Sequence, residues 1–263
     1  MKSLCLLVVS LTVVMLSAGC GVAVGGAAKP APSPAPRSLT GQSIGHVLLG
    51  DRTLSRILKQ SLNIDPRFPP RFGGDEDLQD DGTASPDDCL EVAAMLQRSV
   101  YQSSHIQEVA VETWRHAAMR ADVTSVQEGV VSLPTAADAD ALFAAFARQW
   151  RECDGATTSL PGNMFRLKGK ITNVQVATSV VAATVSIGWA PPNSKPNSKP
   201  VLDSESIPAG RAIGMRGNCL VEVEVDFFNS SNALGQGSGN SANFNADAID
   251  IARAMTDKVG ALI

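Results

Sequence analysis

Cys219-Leu220-Val221-Glu222-Val223-Glu224-Val225-Asp226-Phe227 alternates without a break between Cys, Val or Phe at odd positions and Leu, Glu or Asp at even ones. A period of two places successive side chains on opposite faces of a β-strand, so one face of this segment is expected to be buried and the other largely wet. On its C-terminal side, a Gly-, Asn- and Ser-rich loop over residues 229–243 leads to a last helix, with Ile249, Ala252, Met255, Val259 and Leu262 on one face. On its N-terminal side, the tandem Asn193-Ser194-Lys195-Pro196 and Asn197-Ser198-Lys199-Pro200 is too polar and proline-broken to be anything but a loop. Before it, residues 165–189 read as strand, turn, strand.

Further out, Thr135 is placed to cap a helix in which Ala139, Phe143, Phe146, Trp150 and Cys153 recur at spacings of three or four and form one apolar stripe. Residues 108–116 and 126–133 are rich in Val and Thr, and read as strands that can pair. Ser85-Pro86-Asp87-Asp88 is a strong helix start: Ser85 at the N-cap, Pro86 at the first position and two carboxylates near the positive end of the dipole predict a helix to about Val100. Asp51 predicts another through Leu54, Ile57, Leu58 and Leu62, ended by residues 63–70. Helices and strands alternate irregularly and hairpins dominate. That pattern favours an α+β fold, an antiparallel sheet with helices packed on it, over a doubly wound parallel sheet.

The N-terminus reads differently. Met1-Lys2-Ser3 is followed by an apolar run over residues 4–16 and then Ser17-Ala18-Gly19-Cys20. One lysine, an apolar run shorter than the ~20 residues of a spanning helix, and small residues before a cysteine form a lipoprotein signal peptide over residues 1–19, with Cys20 as the lipid attachment site. Two acyl chains at roughly 0.8 kcal/mol per buried CH2 would hold the protein on the extracytoplasmic face of the cell membrane. Residues 20–42 contain Lys29-Pro30-Ala31-Pro32-Ser33-Pro34-Ala35-Pro36, a polyproline-type tether, and residues 43–263 are left for a single extracytoplasmic domain.

Composition narrows the partners. A net charge of -4 and a pI near 5.4 offer no basic face for nucleic acid. With one Tyr, three Trp and eight Phe, no aromatic and basic stacking platform is legible either. The domain keeps three cysteines, Cys89, Cys153 and Cys219, so one disulfide and one free thiol is the simplest state in an oxidising compartment, with three pairings open. Cys89 shares a helix face with Ala93, Leu96 and Val100, and Cys153 ends the Phe143, Phe146 and Trp150 stripe, so these two thiols lie on core-facing stripes that could meet. Cys219 is in phase with Val221 and Val223 and reads as a small buried hydrophobe that stays reduced.

Reactive constellations are sparse. Gly41-Gln42-Ser43-Ile44-Gly45 matches G-x-S-x-G, but a nucleophile elbow needs a core strand before the serine, and here a proline-rich tether precedes Ser43. A lipid-anchored serine hydrolase using Ser43 with His46, His105 or His116 is thus a distant alternative. Asp77, Gln79, Asp81-Gly82, Thr83, Ser85 and Asp88 follow an EF-hand-like order, but Gln79 replaces a carboxylate, Asp88 is too short for the bidentate twelfth position, and no helix precedes Asp77. The histidines lack zinc-ligand spacing, and no phosphate loop occurs. No catalytic residue, metal ligand or cofactor is assigned, and the ligand-binding residues are left open.

The order of features resembles a known family. Asp88-Cys89 opening a helix, Trp150-Arg151-Glu152-Cys153 closing one, Asn218-Cys219 opening a Val-rich strand and Asn245-Ala246-Asp247-Ala248-Ile249-Asp250-Ile251-Ala252 in a final helix are similar to the PknH-like extracellular sensor domain, over residues 47–263. That family comprises the extracytoplasmic domain of a mycobacterial receptor serine/threonine kinase and many mycobacterial lipoproteins. The resemblance implies a central antiparallel sheet, a deep cleft for an unidentified ligand, and a Cys89–Cys153 disulfide. It also implies that Cys219, half of a second family disulfide, lacks its partner here. The expectation is a lipid-anchored domain that binds a small-molecule or lipid ligand of the cell envelope. The alternative is a protein-protein interaction or structural module that docks to a membrane partner in the envelope.

Overall fold

The alternation at residues 219–227 becomes β9 (Cys219–Phe227), an inner strand of a nine-stranded antiparallel sheet. The structure, a computed structural model, describes residues 38–80, 89–117, 122–160, 166–190, 206–228 and 244–263. The other strands are β1 (Leu62–Ile64), β2 (Arg71–Gly73), β3 (Glu108–His116), β4 (Val123–Ser132), β5 (Thr157–Leu160), β6 (Arg166–Val176), β7 (Val180–Ala190) and β8 (Ile207–Arg216). They run in the order β1-β3-β4-β9-β8-β7-β6-β5, with β2 also paired to β3. The helices are α1 (Asp51–Leu58), α2 (Leu90–Ala93), α3 (Arg98–Tyr101), α4 (Ala136–Glu152) and α5 (Phe244–Leu262), preceded by a 3-10 helix at Gly41–Val47. Among the described residues, no helix is long and apolar enough to cross a membrane.

Each face of the sheet has its own core. On the first, Val221, Val223 and Val225 of β9 pack with Val126, Val130 and Ala212 under α5, whose Ala248, Ile251, Ala252, Met255 and Val259 are buried; Leu54 of α1 and Ile44 and Val47 of the 3-10 helix complete it. Gly210 admits α5 here, because a Cβ at that position would lie 2.0 Å from the Phe244 carbonyl oxygen. On the second face, Leu220, Val131 and Ile213 pack under Phe143, Phe146 and Trp150 of α4 and under the short helices α2 and α3. The Thr135 hydroxyl accepts from the Asp138 amide and the Asp138 carboxylate accepts from the Thr135 amide, a capping box that starts α4.

Three local expectations are corrected. α1 stops at Leu58 because Lys59 turns left-handed (φ 55), which sends Leu62 into β1 instead of another helical turn. The helix expected to reach Val100 is broken after Ala93, where Ala94 is extended and Leu96 has φ 52. The backbone of Leu96 and Arg98 pairs with Gln79 (Gln79 N to Leu96 O and Arg98 N to Gln79 O, each 2.8 Å), and the Leu96 side chain fills the space above Gly129, where a Cβ would sit 2.6 Å from it. The expected cap residues 85–88 lie outside the described residues. Finally, the polar face of β9 is only partly wet, since Glu222 is 2% exposed. β8, whose Pro208, Gly210, Arg211 and Gly214 gave no strand signal, is a central strand.

Candidate ligand cleft

Along the second face of β9, cover thins from one end to the other. Leu220 lies under α4, Glu222 lies beneath α2 and α3, and Glu224 and Asp226 emerge into an open cleft. Register places Arg211 of β8 directly opposite Glu224. The fully buried Arg211 donates from Nη2 to the Glu222 carboxylate (3.2 Å) and to the Glu91 carbonyl (2.9 Å), and from Nε to the Val92 carbonyl (3.2 Å); its Nε also lies 3.5 Å from the Glu224 carboxylate. Glu222 further accepts the Tyr101 hydroxyl at 2.6 Å and the Leu96 amide at 3.2 Å. Burial, and then the Glu222 charge, hold the Tyr101 hydroxyl well above its ordinary range. Both oxygens of the roofed Glu222 carboxylate are engaged, as a buried ion pair requires to persist, while the buried Arg211 Nη1 has no hydrogen-bond partner among the described residues.

The cleft, about 480 Å³, begins where the roof ends. Its floor is Val111 and Thr113 of β3, Ser125 and Gln127 of β4, and Glu224 and Asp226 of β9. Burial and the neighbouring Asp226 charge push the Glu224 carboxyl up to about 7, against the pull of Arg211. The Asp226 carboxyl is also raised by burial, although the Ser125 hydroxyl donates to it at 2.5 Å. The wall comes from the interruption between β1 and β2. Both pair with β3, but Pro66, Pro69 and Pro70 cannot donate to a ladder, so after the Asp65 amide bonds the Thr113 carbonyl the chain from residue 66 to 70 leaves the sheet edge and brings Arg67, Phe68 and Pro69 to the cleft. Asp65 clamps Arg67 with bonds of 2.6–3.1 Å, and that guanidinium holds the Asp65 carboxyl down at about 2. Arg71 lines the same wall, and among the described residues no ion pair engages it.

Of the described sequence-derived positions, Gln79 of the acidic segment lines this cleft and the others lie away from it. Cys89 and Cys153 are bonded (S–S 2.10 Å, Cα–Cα 5.7 Å), which ties the residue before α2 to the end of α4 and so braces the roofed half. Cys219 is a buried free thiol, 3.8 Å from the Asn218 side-chain oxygen, and burial pushes it up to about 12. Ser43 sits in the 3-10 helix and donates its hydroxyl to the Thr40 carbonyl at 2.6 Å; no strand-to-helix elbow presents it. Cys20 and residues 81–88 of the acidic loop lie outside the described residues, and among the described residues no cluster of three or more metal-ligating side chains occurs. Sequence reading missed Arg211, Glu222 and the Glu224–Asp226 pair as a site. Three acids regularly interleaved with valine are the available signal, and alternation alone reads them as a largely wet face.

The family pattern described as the PknH-like extracellular domain matches residues 39–258. The chain belongs to the PknH-like extracellular domain family. The crystal structure of the extracellular domain of PknH from Mycobacterium tuberculosis superposes with a TM-score of 0.64 at 16% identity, covering 86% of this chain and 98% of that one. That likeness is one of fold, and it bears out the α+β class and the antiparallel sheet. The Rv0999 ortholog from Mycobacterium smegmatis aligns with a TM-score of 0.35 at 9% identity, over 83% of this chain and 95% of that one. Among curated proteins nothing matches the chain. Family membership makes this an extracytoplasmic, sensor-type domain.

Proposed function

We propose that the protein is a lipoprotein anchored through Cys20 on the extracytoplasmic face of the cell membrane, and that its sensor-type domain binds a small-molecule or lipid ligand of the envelope in the cleft above Glu224 and Asp226. The carrying observation is the unequal cover of one sheet face: a buried Arg211–Glu222 network under α2 and α3 continues into two partly buried carboxylates that face about 480 Å³ of open space. Volumes of this order, with few convergent polar groups, are typical of small-molecule sites. The leader supports the anchor, and the proline tether would hold the domain away from the bilayer.

Native mass spectrometry of the full-length protein, extracted from its own envelope in mild detergent, tests the reading. The expected result is a bound small molecule or lipid that is lost from a Glu224→Gln, Asp226→Asn variant, with diacylglycerol mass on the N-terminal peptide. A preparation with no bound molecule and an unmodified Cys20 would sink it. A second reading, a module that docks to an envelope protein, has one supporting observation: Phe68 and Phe72, 57% and 44% exposed, flank the prolines on the wall segment. Retention of a protein partner that Phe68→Ser, Phe72→Ser abolishes would favour that reading.

A further inference from the structure

We propose that the cleft is built for a zwitterion, a protonated primary amine joined to an acidic group, with the amine on Glu224 and Asp226 and the acid at Arg71. The inference rests on the cleft being a binding site and specifies its ligand chemistry.

Charge on the floor is out of balance. Glu222, Glu224 and Asp226 share a strand face with one facing cation, Arg211, whose Nη2 is committed to Glu222 and to a backbone carbonyl. Glu224 and Asp226 are two residues apart on one strand, so their side chains stand roughly 7 Å apart on the same face, a separation that one ammonium between them can serve with its three donors. The groups around them also favour a donor-rich amine over a quaternary one, because Thr113, Ser125 and Gln127 offer oxygens for hydrogen bonds. The wall has the opposite bias. Arg67 is neutralised by Asp65, which leaves Arg71 as the cation on the cleft lining without an ion pair among the described residues. Phe68, Pro69 and Val111 supply apolar lining for the stretch that joins the ligand's charges.

Proton linkage gives this assignment its own signature. The charged or polar groups facing Glu224 are Glu222 and Asp226 on its own strand, Arg211 on β8, Ser125 and Gln127 on β4, Thr113 on β3, and Arg67, Arg71 and Gln79 across the cleft. Glu224 is partly protonated near neutrality, and an ammonium favours its ionised form, so amine binding near pH 6.5 releases a proton and tightens as the pH rises.

Isothermal titration calorimetry of the full-length protein in mild detergent tests it with dialanine, dialanine amide (cation only), N-acetyl-dialanine (anion only) and phosphoethanolamine. Dialanine or phosphoethanolamine is expected to bind, and removing either charge from dialanine to weaken it by about tenfold, equivalent to ~1.4 kcal/mol. Glu224→Gln, or Asp226→Asn if the first variant folds poorly, should weaken the zwitterion and the amide, whereas Arg71→Ala should weaken the zwitterion and the N-acetyl form. Apparent enthalpy at pH 6.5 should differ by the released proton between two buffers of unequal ionisation enthalpy that carry neither a primary amine nor a phosphate, PIPES and imidazole. Equal affinity for all dialanine forms, or preference for a singly charged one, overturns the assignment. If no zwitterion binds yet the protein from its envelope carries a neutral or purely anionic molecule, the cleft reading stands and this one falls; if it also arrives empty, both fall.

Discussion

Beneath α5 the sheet buries the Glu128 carboxylate and closes over it; on the opposite face β9 carries three and leaves two of them facing a cleft. Glu128, fully buried on β4, accepts the Leu49 amide at 3.1 Å and the Trp114 indole N–H at 3.0 Å, with Lys258 close enough to lower its proton affinity. Burial nevertheless pushes that carboxyl up to about 8. Glu222 is likewise surrounded by donors, but Glu224 and Asp226 share Arg211 and Ser125 and open to solvent. A buried acid that the fold has fully satisfied is structural. One left half-satisfied at the floor of a cavity is where a ligand gains most, because its donors complete bonds the protein leaves open.

Substitutions that cut the roofed network should do the greatest damage. Glu222→Ala leaves Arg211 buried without its main carboxylate and strands the Tyr101 hydroxyl, for an expected loss of about 3–5 kcal/mol in urea unfolding. Removal of the Cys89–Cys153 bond as the double alanine variant comes next, at about 2–4 kcal/mol, by releasing a cross-link across 64 residues. If the two halves of the second face are as separate as their contacts indicate, that variant keeps its cleft ligand at temperatures where it remains folded.

Glu128→Gln presents an amide N–H to one of two donors that now meet oxygens, and should cost about 1–3 kcal/mol. It also tests the pH dependence. Glu128 holds its proton more tightly folded than unfolded, so its contribution is present below pH 4.5 and is lost as pH rises to about 8; in the variant that slope disappears. Glu224→Gln should flatten a shallower decline, between pH 4.5 and about 7, and raise stability at pH 8 by about 1 kcal/mol, while ligand binding weakens. A stabilised variant with intact binding would remove Glu224 from the site. Smallest of all, Cys219→Ala should change stability by less than about 1 kcal/mol, and the native thiol should resist Ellman's reagent until the protein unfolds.

Legibility followed locality. β9 was visible because alternation is a property of nine successive residues, and α4 because Thr135 and Asp138 sit three apart before a stripe of Phe143, Phe146 and Trp150. The stripes also brought Cys89 and Cys153 to plausible meeting points. β8 was invisible because its signal is relational. Gly210 is required by the approach of Phe244, and Arg211 by Glu222 and Glu224 across the hairpin together with the Glu91 and Val92 carbonyls, which are far away in sequence. The break between α2 and α3 has the same origin: residues 94–97 carry helix-compatible side chains, but Glu222, Gln79 and Gly129 together hold Leu96 in a left-handed turn.

Local sequence suffices for which residues turn inward and outward along each element, for the class of fold those elements build, and for the family to which their order belongs. Which outward-facing acids stay wet is a property of the assembled fold. Whether Glu222, Glu224 or Asp226 meets water depends on how far α2 and α3 reach across β9, and that reach is set by contacts between segments more than a hundred residues apart. Periodicity reports the side of a strand on which a charge lies; burial, pairing and proton affinity come from whatever the rest of the chain lays over it.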